Sequence, residues 1–205
     1  EDPGRARHPE RRGERPVSRL DFDRAGVPLA ELVTEPVLRE PAACAAFLAE
    51  LRRLVRWLGV SDGDMEKGQL RCDANVSLRP AGATGLGVKT ELKNLNSIRG
   101  VERGLAAEIA RQRALLEAGG QVAPATLLYD VEHDRLAPMR VKEGEEDYRY
   151  FPEPDLPPLA VDAAWREALR AGLPELPWAR VGRLARAHGL ATDAAEALCA
   201  SRELA

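Results

Sequence analysis

Two stretches decide the fold: Leu70-Arg71-Cys72-Asp73-Ala74-Asn75-Val76-Ser77-Leu78-Arg79 and, after a glycine-rich gap, Val88-Lys89-Thr90-Glu91-Leu92-Lys93. Successive side chains of an extended chain point to opposite faces. In the first run Leu70, Cys72, Ala74, Val76 and Leu78 therefore share one side, and Arg71, Asp73, Asn75, Ser77 and Arg79 the other. The second run repeats the pattern, with Val88, Thr90 and Leu92 opposite Lys89, Glu91 and Lys93. Pro80, Gly82, Gly85 and Gly87 supply the turn. The pair reads as a hairpin with one apolar and one densely polar face.

On the N-terminal side, Phe47, Leu51, Leu54, Val55 and Leu58 form a helical stripe across Pro41 to Leu58. Pro41 suits the first turn and Gly59 the stop. On the C-terminal side, Ser97 caps a helix whose stripe is Ile98, Val101, Leu105, Ile109 and Leu116, closed by Gly119-Gly120. Short strands at Leu127–Asp130 and Pro138–Lys142 flank a polar turn at Glu132–Arg135. Residues 1–19, rich in Arg, Pro and Gly, read as a loop. The stretch Phe151 to Pro158 holds four prolines and marks a boundary. Beyond it lie helical patterns at Asp162–Gly172, Pro177–Gly189 and from Thr192 onward. The expected architecture is α+β: one domain over residues 1–158, then a small helical domain over 159–205. No internal repeat is visible.

Composition narrows the function. Hydrophobic residues make up 44% and charged residues 31% of 205, as in a globular chain. Aromatics at 4% argue against a stacking platform for single-stranded nucleic acid. The formal net charge of −3 gives no global field toward RNA, so any RNA contact is local. No apolar run is long enough for a membrane span, and the polar stretch Glu1-Asp2-Pro3-Gly4-Arg5 does not read as a signal peptide. Cys44, Cys72 and Cys199 have no metal-ligand spacing and read as reduced cytosolic thiols. The chain begins at Glu1 without Met and ends inside a helical pattern, which reads as a fragment.

Carboxylate and amide oxygens on the polar face suit Mg²⁺, while its Arg and Lys side chains suit phosphate. Phosphoryl transfer needs both. The same alternation equally fits a solvated sheet face laced with weak ion pairs. The segment Gly82-Ala83-Thr84-Gly85-Leu86-Gly87-Val88-Lys89-Thr90 approaches a P-loop, but Val88 separates Gly87 from Lys89. The residues from Val88 onward alternate as a strand, whereas a P-loop opens a helix. His8, His133 and His188 form no zinc pattern, no serine sits in a nucleophile-elbow setting, and Met65-Glu66-Lys67-Gly68 is a turn.

Read as strings, Leu20-Asp21-Phe22-Asp23-Arg24-Ala25-Gly26-Val27-Pro28-Leu29-Ala30-Glu31-Leu32, Gly59-Val60-Ser61-Asp62, and Met65-Glu66-Lys67-Gly68 running into Leu70–Pro80 are highly specific. So are Lys89-Thr90-Glu91-Leu92-Lys93-Asn94-Leu95-Asn96-Ser97 and Asp147-Tyr148-Arg149-Tyr150-Phe151-Pro152-Glu153-Pro154-Asp155. In this order they resemble the B-subunit (GatB/GatE) family of the tRNA-dependent amidotransferases across nearly the whole chain. The resemblance implies a cradle domain related to the glutamine synthetase fold, mostly antiparallel sheet with helices. It implies a cytoplasmic heterotrimeric carbon–nitrogen ligase with glutamine as amide donor. Mg·ATP would phosphorylate the side-chain carboxylate of Glu-tRNA(Gln) or Asp-tRNA(Asn), and ammonia from the amidase partner (the A-type subunit) would displace phosphate. The small C-type subunit is the other implied partner.

Carried onto this sequence, the metal ligands fall on Glu1 and Glu91. The remaining catalytic candidates are Asp73 and Asn75, and Arg71, Arg79, Lys89, Lys93 and Arg149 are the candidates for ATP binding. The family's usual Glu-Asp-Ala-Gly-Lys reads Glu1-Asp2-Pro3-Gly4-Arg5 here. Asp23 stands where Asn is usual, and Leu127-Leu128 where a basic residue is. The family's N-terminal Glu-Val-His segment and C-terminal tRNA-tail domain lie outside the 205 residues, so residues 1–205 alone are expected not to catalyse. The competing expectation is a noncatalytic tRNA-binding or scaffolding piece of the same complex. An unrelated ATP-grasp or P-loop ligase is disfavoured by the failed phosphate loop.

Overall fold

The computed structural model describes residues 5–7, 19–23, 26–141 and 157–204. The chain divides into two compact units, residues 1–37 and 38–205. In the first, β1 (Arg5–Arg7) pairs antiparallel with β2 (Arg19–Asp21), Ala6 opposite Leu20. The expected loop over residues 1–19 therefore contains a strand. Three residues carry no readable period, and the partner that makes them a strand lies a dozen positions away.

The second unit opens with α1 (Pro41–Trp57), with Pro at the head and a left-handed Gly59 at its end. The helix stops where a side chain would resist positive φ. The sheet follows: β3 (Ala74–Val76), β4 (Thr90–Lys93), β5 (Ala125–Asp130) and β6 (Arg135–Val141), in the order β3-β4-β5-β6. β3 and β4 pair antiparallel, with Asn75 opposite Glu91. β4 and β5 run parallel, and β5 and β6 antiparallel. The sheet is thus mixed. α2 (Ile98–Glu117) is the crossover that a parallel β4–β5 pair requires. Its N-cap is Ser97, whose Oγ accepts from the Gly100 amide at 3.0 Å.

One sheet face packs on α1 and α2. Leu92, Leu127 and Tyr129 join Leu48, Met65, Leu95, Val101 and Leu105 in the core. In the expected turn Met65 buries its side chain, whereas Glu66 stays exposed. Gly104 lies between Leu95 and the Tyr129 ring, where a larger residue would crowd both.

The strand expected over Leu70–Arg79 shrinks to residues 74–76. At its C-terminal end the reason lies in α2. Gln112 is fully buried; its side-chain Oε1 accepts from the Leu78 amide at 3.0 Å and its Nε2 donates to the Val76 carbonyl at 3.2 Å. A side-chain amide takes over the backbone groups that a neighbouring strand would otherwise pair. The buried stripe of α2 correspondingly runs through Val101, Leu105, Glu108 and Gln112, while Leu116 is exposed.

After residue 156 come α3 (Ala163–Gly172), α4 (Pro177–His188) and α5 (Thr192–Leu198). A second cluster joins Trp57 of α1 to Val181, Ala195 and Cys199. Among the described residues no helix is long and apolar enough to cross a membrane.

Candidate functional site

β4 lies between β3 and β5, which places Glu91 in the interior of the sheet, flanked by Asn75 and Thr126. Its carboxylate is held from two sides. Thr126 Oγ1 donates to Oε2 at 3.0 Å, and Lys93 Nζ lies 3.4 Å from Oε1. The Glu91 side chain is only 17% exposed. Lys93 also reaches Asp73 Oδ2 at 3.0 Å. That hydrogen bond, with the nearby Glu91 charge, raises the lysine pKa and keeps it protonated. One ammonium thus spans two carboxylates on the polar face.

Asp73, Asn75, Glu91 and Lys93 are therefore brought together as the alternation predicts. Arg71 and Lys89 are exposed next to the strands. Arg79 is not part of the group: its guanidinium donates to the Thr84 and Gly85 carbonyls, each at 3.2 Å, and ties down the loop between β3 and β4. In that loop a Cβ on Gly87 would overlap the Leu78 carbonyl. The glycine-rich stretch is shaped by close backbone passage, and β4 rather than a helix comes after it. Glu1 and Arg149 lie outside the described residues.

Two features are not legible in the sequence pattern. The apolar alternation starts the strand at Leu127 and leaves Thr126 outside it. The one signal for Thr126 is the residue type itself, well suited to a strand and adjacent to an apolar pair. Behind β4 lies a buried polar knot. Glu108 is fully buried, accepts from Thr90 at 2.8 Å and Gln112 at 2.9 Å, and pairs with Arg111 at 2.6 Å. Burial pushes the Glu108 pKa up, but the hydrogen bonds from Arg111, Gln112 and Thr90 outweigh it and leave the group below its ordinary value. Among the described residues no three acidic, His or Cys side chains converge as a metal cage.

A family model described as GatB/GatE catalytic domain matches residues 1–167. The chain belongs to the GatB/GatE family. Curated relatives agree with that placement. The chain is similar to the B subunit of the aspartyl/glutamyl-tRNA(Asn/Gln) amidotransferase of Moorella thermoacetica, 52% identical over 92% of this chain and 40% of the relative. It is 50% identical to the protein of the same name from Bordetella petrii, over 93% and 39% of the two chains. For that of Halorhodospira halophila the identity is 49%, over 100% and 42%. This GatB/GatE-family chain thus spans about two fifths of the length of the curated relatives it matches.

Proposed function

We propose that this chain carries the carboxylate-activating part of a tRNA-dependent amidotransferase. In this reading a side-chain carboxylate oxygen of Glu-tRNA(Gln) or Asp-tRNA(Asn) attacks the γ-phosphorus of ATP, and ADP leaves. Ammonia then attacks the acyl-phosphate carbon, phosphate leaves, and the amide forms. Activation is needed because a carboxylate repels nucleophiles and has no adequate leaving group. The ammonia comes from glutamine at the amidase (A-type) partner, with the small C-type partner completing a cytoplasmic complex. The relatives' shared name supports the tRNA and amide parts of this reading.

The observation that carries it is Glu91, set in the sheet interior with each carboxylate oxygen held, beside the Lys93 ammonium. An oxygen donor next to fixed positive charge fits Mg·ATP. Mg²⁺ commonly takes one or two protein carboxylates and fills its octahedron with water and phosphate oxygens. The described donors therefore fit the ion, with Glu91 as a ligand and Lys93 and Lys89 toward phosphate. When bound, Mg²⁺ would neutralise charge on the phosphoryl oxygens. Asp73 and Asn75 are the further catalytic candidates on this face, and Glu1, Arg71 and Arg149 belong to the same proposal.

We also place the cradle portion at residues 1–158 and the helical portion at 159–205. In the complete enzyme, Glu91→Gln should cut amide formation by orders of magnitude while the partner's glutaminase activity falls much less. Unchanged amide formation at saturating ATP would overturn the reading.

A further inference from the structure

Leu92 and Leu95 both belong to the core, at 0% and 3% exposed. They lie three positions apart, and in a continuous strand that spacing puts two side chains on opposite faces. If β4 ran straight on, burying Leu92 would send Leu95 out onto the polar face beside Lys93. Slipping the strand by one residue to bury Leu95 would instead carry Glu91 and Lys93 into the core. The chain does neither. Asn94, between Lys93 and Leu95, takes a φ of 64°, and only one other non-glycine residue among those described, Asp134, has a positive φ. Asp134 sits in the exposed turn between β5 and β6, whereas Asn94 directly follows the polar-face lysine.

The left-handed turn resets the alternation. Leu95 swings back to the core and packs against Gly104 of α2. Lys93 stays on the polar face, with Nζ 3.0 Å from Asp73 Oδ2 and 3.4 Å from Glu91 Oε1. Most L-residues resist this backbone region, and Asn tolerates it better than residues with larger or branched side chains. Such a conformation persists where the surroundings over-determine it. Here a buried leucine fixes one side and a paired ammonium the other. The Asn94 amide adds less: Oδ1 accepts from Asn96 Nδ2 at 3.1 Å within the loop, and Nδ2 reaches the Tyr129 carbonyl only at 3.5 Å.

We infer that Asn94 is the positioning residue of the polar face, and that its left-handed backbone holds Lys93 between Asp73 and Glu91. The deciding property is the backbone angle, not the side-chain amide. Any residue that prefers the extended region at this position sets the burial of Leu95 against the placement of Lys93. Only the consequence for a bound phosphate rests on the function proposed above.

The test is zero-length carbodiimide crosslinking of the full-length protein, which joins an amine to a carboxylate where the two are in contact. Peptide mass analysis gives the yield of the Lys93–Asp73 product. The Lys67–Asp64 pair, 3.3 Å apart in the turn before β3, is the internal reference. Asn94→Ala should lower the Lys93–Asp73 yield at least about fivefold against that reference, the factor set by a β-carbon in the left-handed region. Asn94→Gly, which adopts the angle freely, should keep the parental ratio. Val101→Ala removes buried methyl groups from the same core without touching the turn, and should keep the ratio despite its lower stability. That comparison separates positioning from general destabilisation, and circular dichroism confirms folding. If Asn94→Ala does not fold, Asn94→Ser carries the same β-carbon and is read in its place, while the glycine variant needs no strained angle at all. A parental ratio in the folded alanine or serine variant would overturn the inference. So would a loss in Asn94→Gly as large as that expected for alanine, or a parent that gives no Lys93–Asp73 product. Crosslinking needs no turnover, so failure of the proposed reaction leaves this result readable on its own.

Discussion

Thr126 on β5 donates its hydroxyl to Oε2 of Glu91 on β4, across the parallel strand pair at 3.0 Å. With Lys93 near Oε1, each carboxylate oxygen has its own partner, so the side chain is fixed in direction as well as in place. A group meant to hold a cation or phosphate works best when its rotamer is set in advance.

Thr126 is 5% exposed, so removing its hydroxyl leaves Glu91 Oε2 short of a donor in a confined place. Thr126→Val should lose about 1–2 kcal/mol in urea unfolding. Thr126→Ser, which keeps the donor, should stay within about 0.5 kcal/mol of the parent. In the complete enzyme, amide formation should fall in the valine variant and persist in the serine variant. Equal activity of the two would separate the hydroxyl from the site.

The knot behind β4 makes a prediction about acid. Glu108 titrates below its ordinary value when folded, so the unfolded chain binds its proton first as pH falls. Stability from Glu108 is therefore fully present above about pH 4.3, the unfolded value. It drains away as pH drops from there toward the lower folded value. Urea midpoints between about pH 3 and pH 6 should show this slope in the parent, and Glu108→Gln should flatten it. Glu108→Ala should cost about 3–5 kcal/mol at neutral pH, because Thr90, Gln112 and Arg111 all lose their acceptor.

Why this knot is illegible in the sequence is itself physical. Local signals are readable: Pro41 and Gly59 bracket α1, Ser97 caps α2, and alternation around Glu91 places it with Asn75 on the polar face. Each depends on residues close in the chain. Gln112 and Glu108 look like solvent-facing helix residues because a helical stripe is read from apolar side chains alone. Their burial is decided by Val76, Leu78 and Thr90, some 18 to 36 positions away. The parallel β4–β5 pair is hidden for the same reason: alternation says which face a residue takes but not which strand lies beside it. Thr126, just ahead of Leu127, drops out of view with it. Glu91 stands out as a candidate through both alternation and family resemblance, whereas its support by Thr126 needs coordinates.

Cys72 offers a chemical check on the core side of this region. Burial, with the Asp73 charge adding to it, pushes its thiol up to about 11. Cys44 shifts in the same direction, chiefly by burial. Since the thiolate is the reactive form, iodoacetamide at about pH 8 should label Cys72 at least about tenfold more slowly in the native protein than in urea. The native rate should climb steeply as pH approaches that raised value of about 11. Peptide mass analysis gives the residue-specific rate, and equal labelling in the two states would contradict the packing described around Cys72.

The last prediction concerns how the helices after residue 156 are held. Trp57 at the end of α1 is 2% exposed, and its indole Nε1 donates to the Glu175 carbonyl at 2.9 Å. Glu175 precedes α4, and Arg183 forks its carboxylate at 2.8 to 3.1 Å, so the backbone that Trp57 holds is itself anchored. Val181, Ala195 and Cys199 close around the ring. Trp57→Ala removes the largest side chain of that cluster and should cost about 3–5 kcal/mol. Trp57→Phe keeps most of the volume and loses the donor, at about 1–2 kcal/mol. Hydrogen exchange distinguishes two ways of losing that stability. If residues 159–205 form their own unit, amides of α4 and α5 should lose protection in Trp57→Ala while those of α2 and β4 keep theirs. Loss in step across both regions would mean that the sheet and these helices open together, and the division after residue 158 would have to be withdrawn. Because the core around Leu92, Leu127 and Tyr129 shares no buried residue with the Trp57 cluster, the first outcome is the one expected.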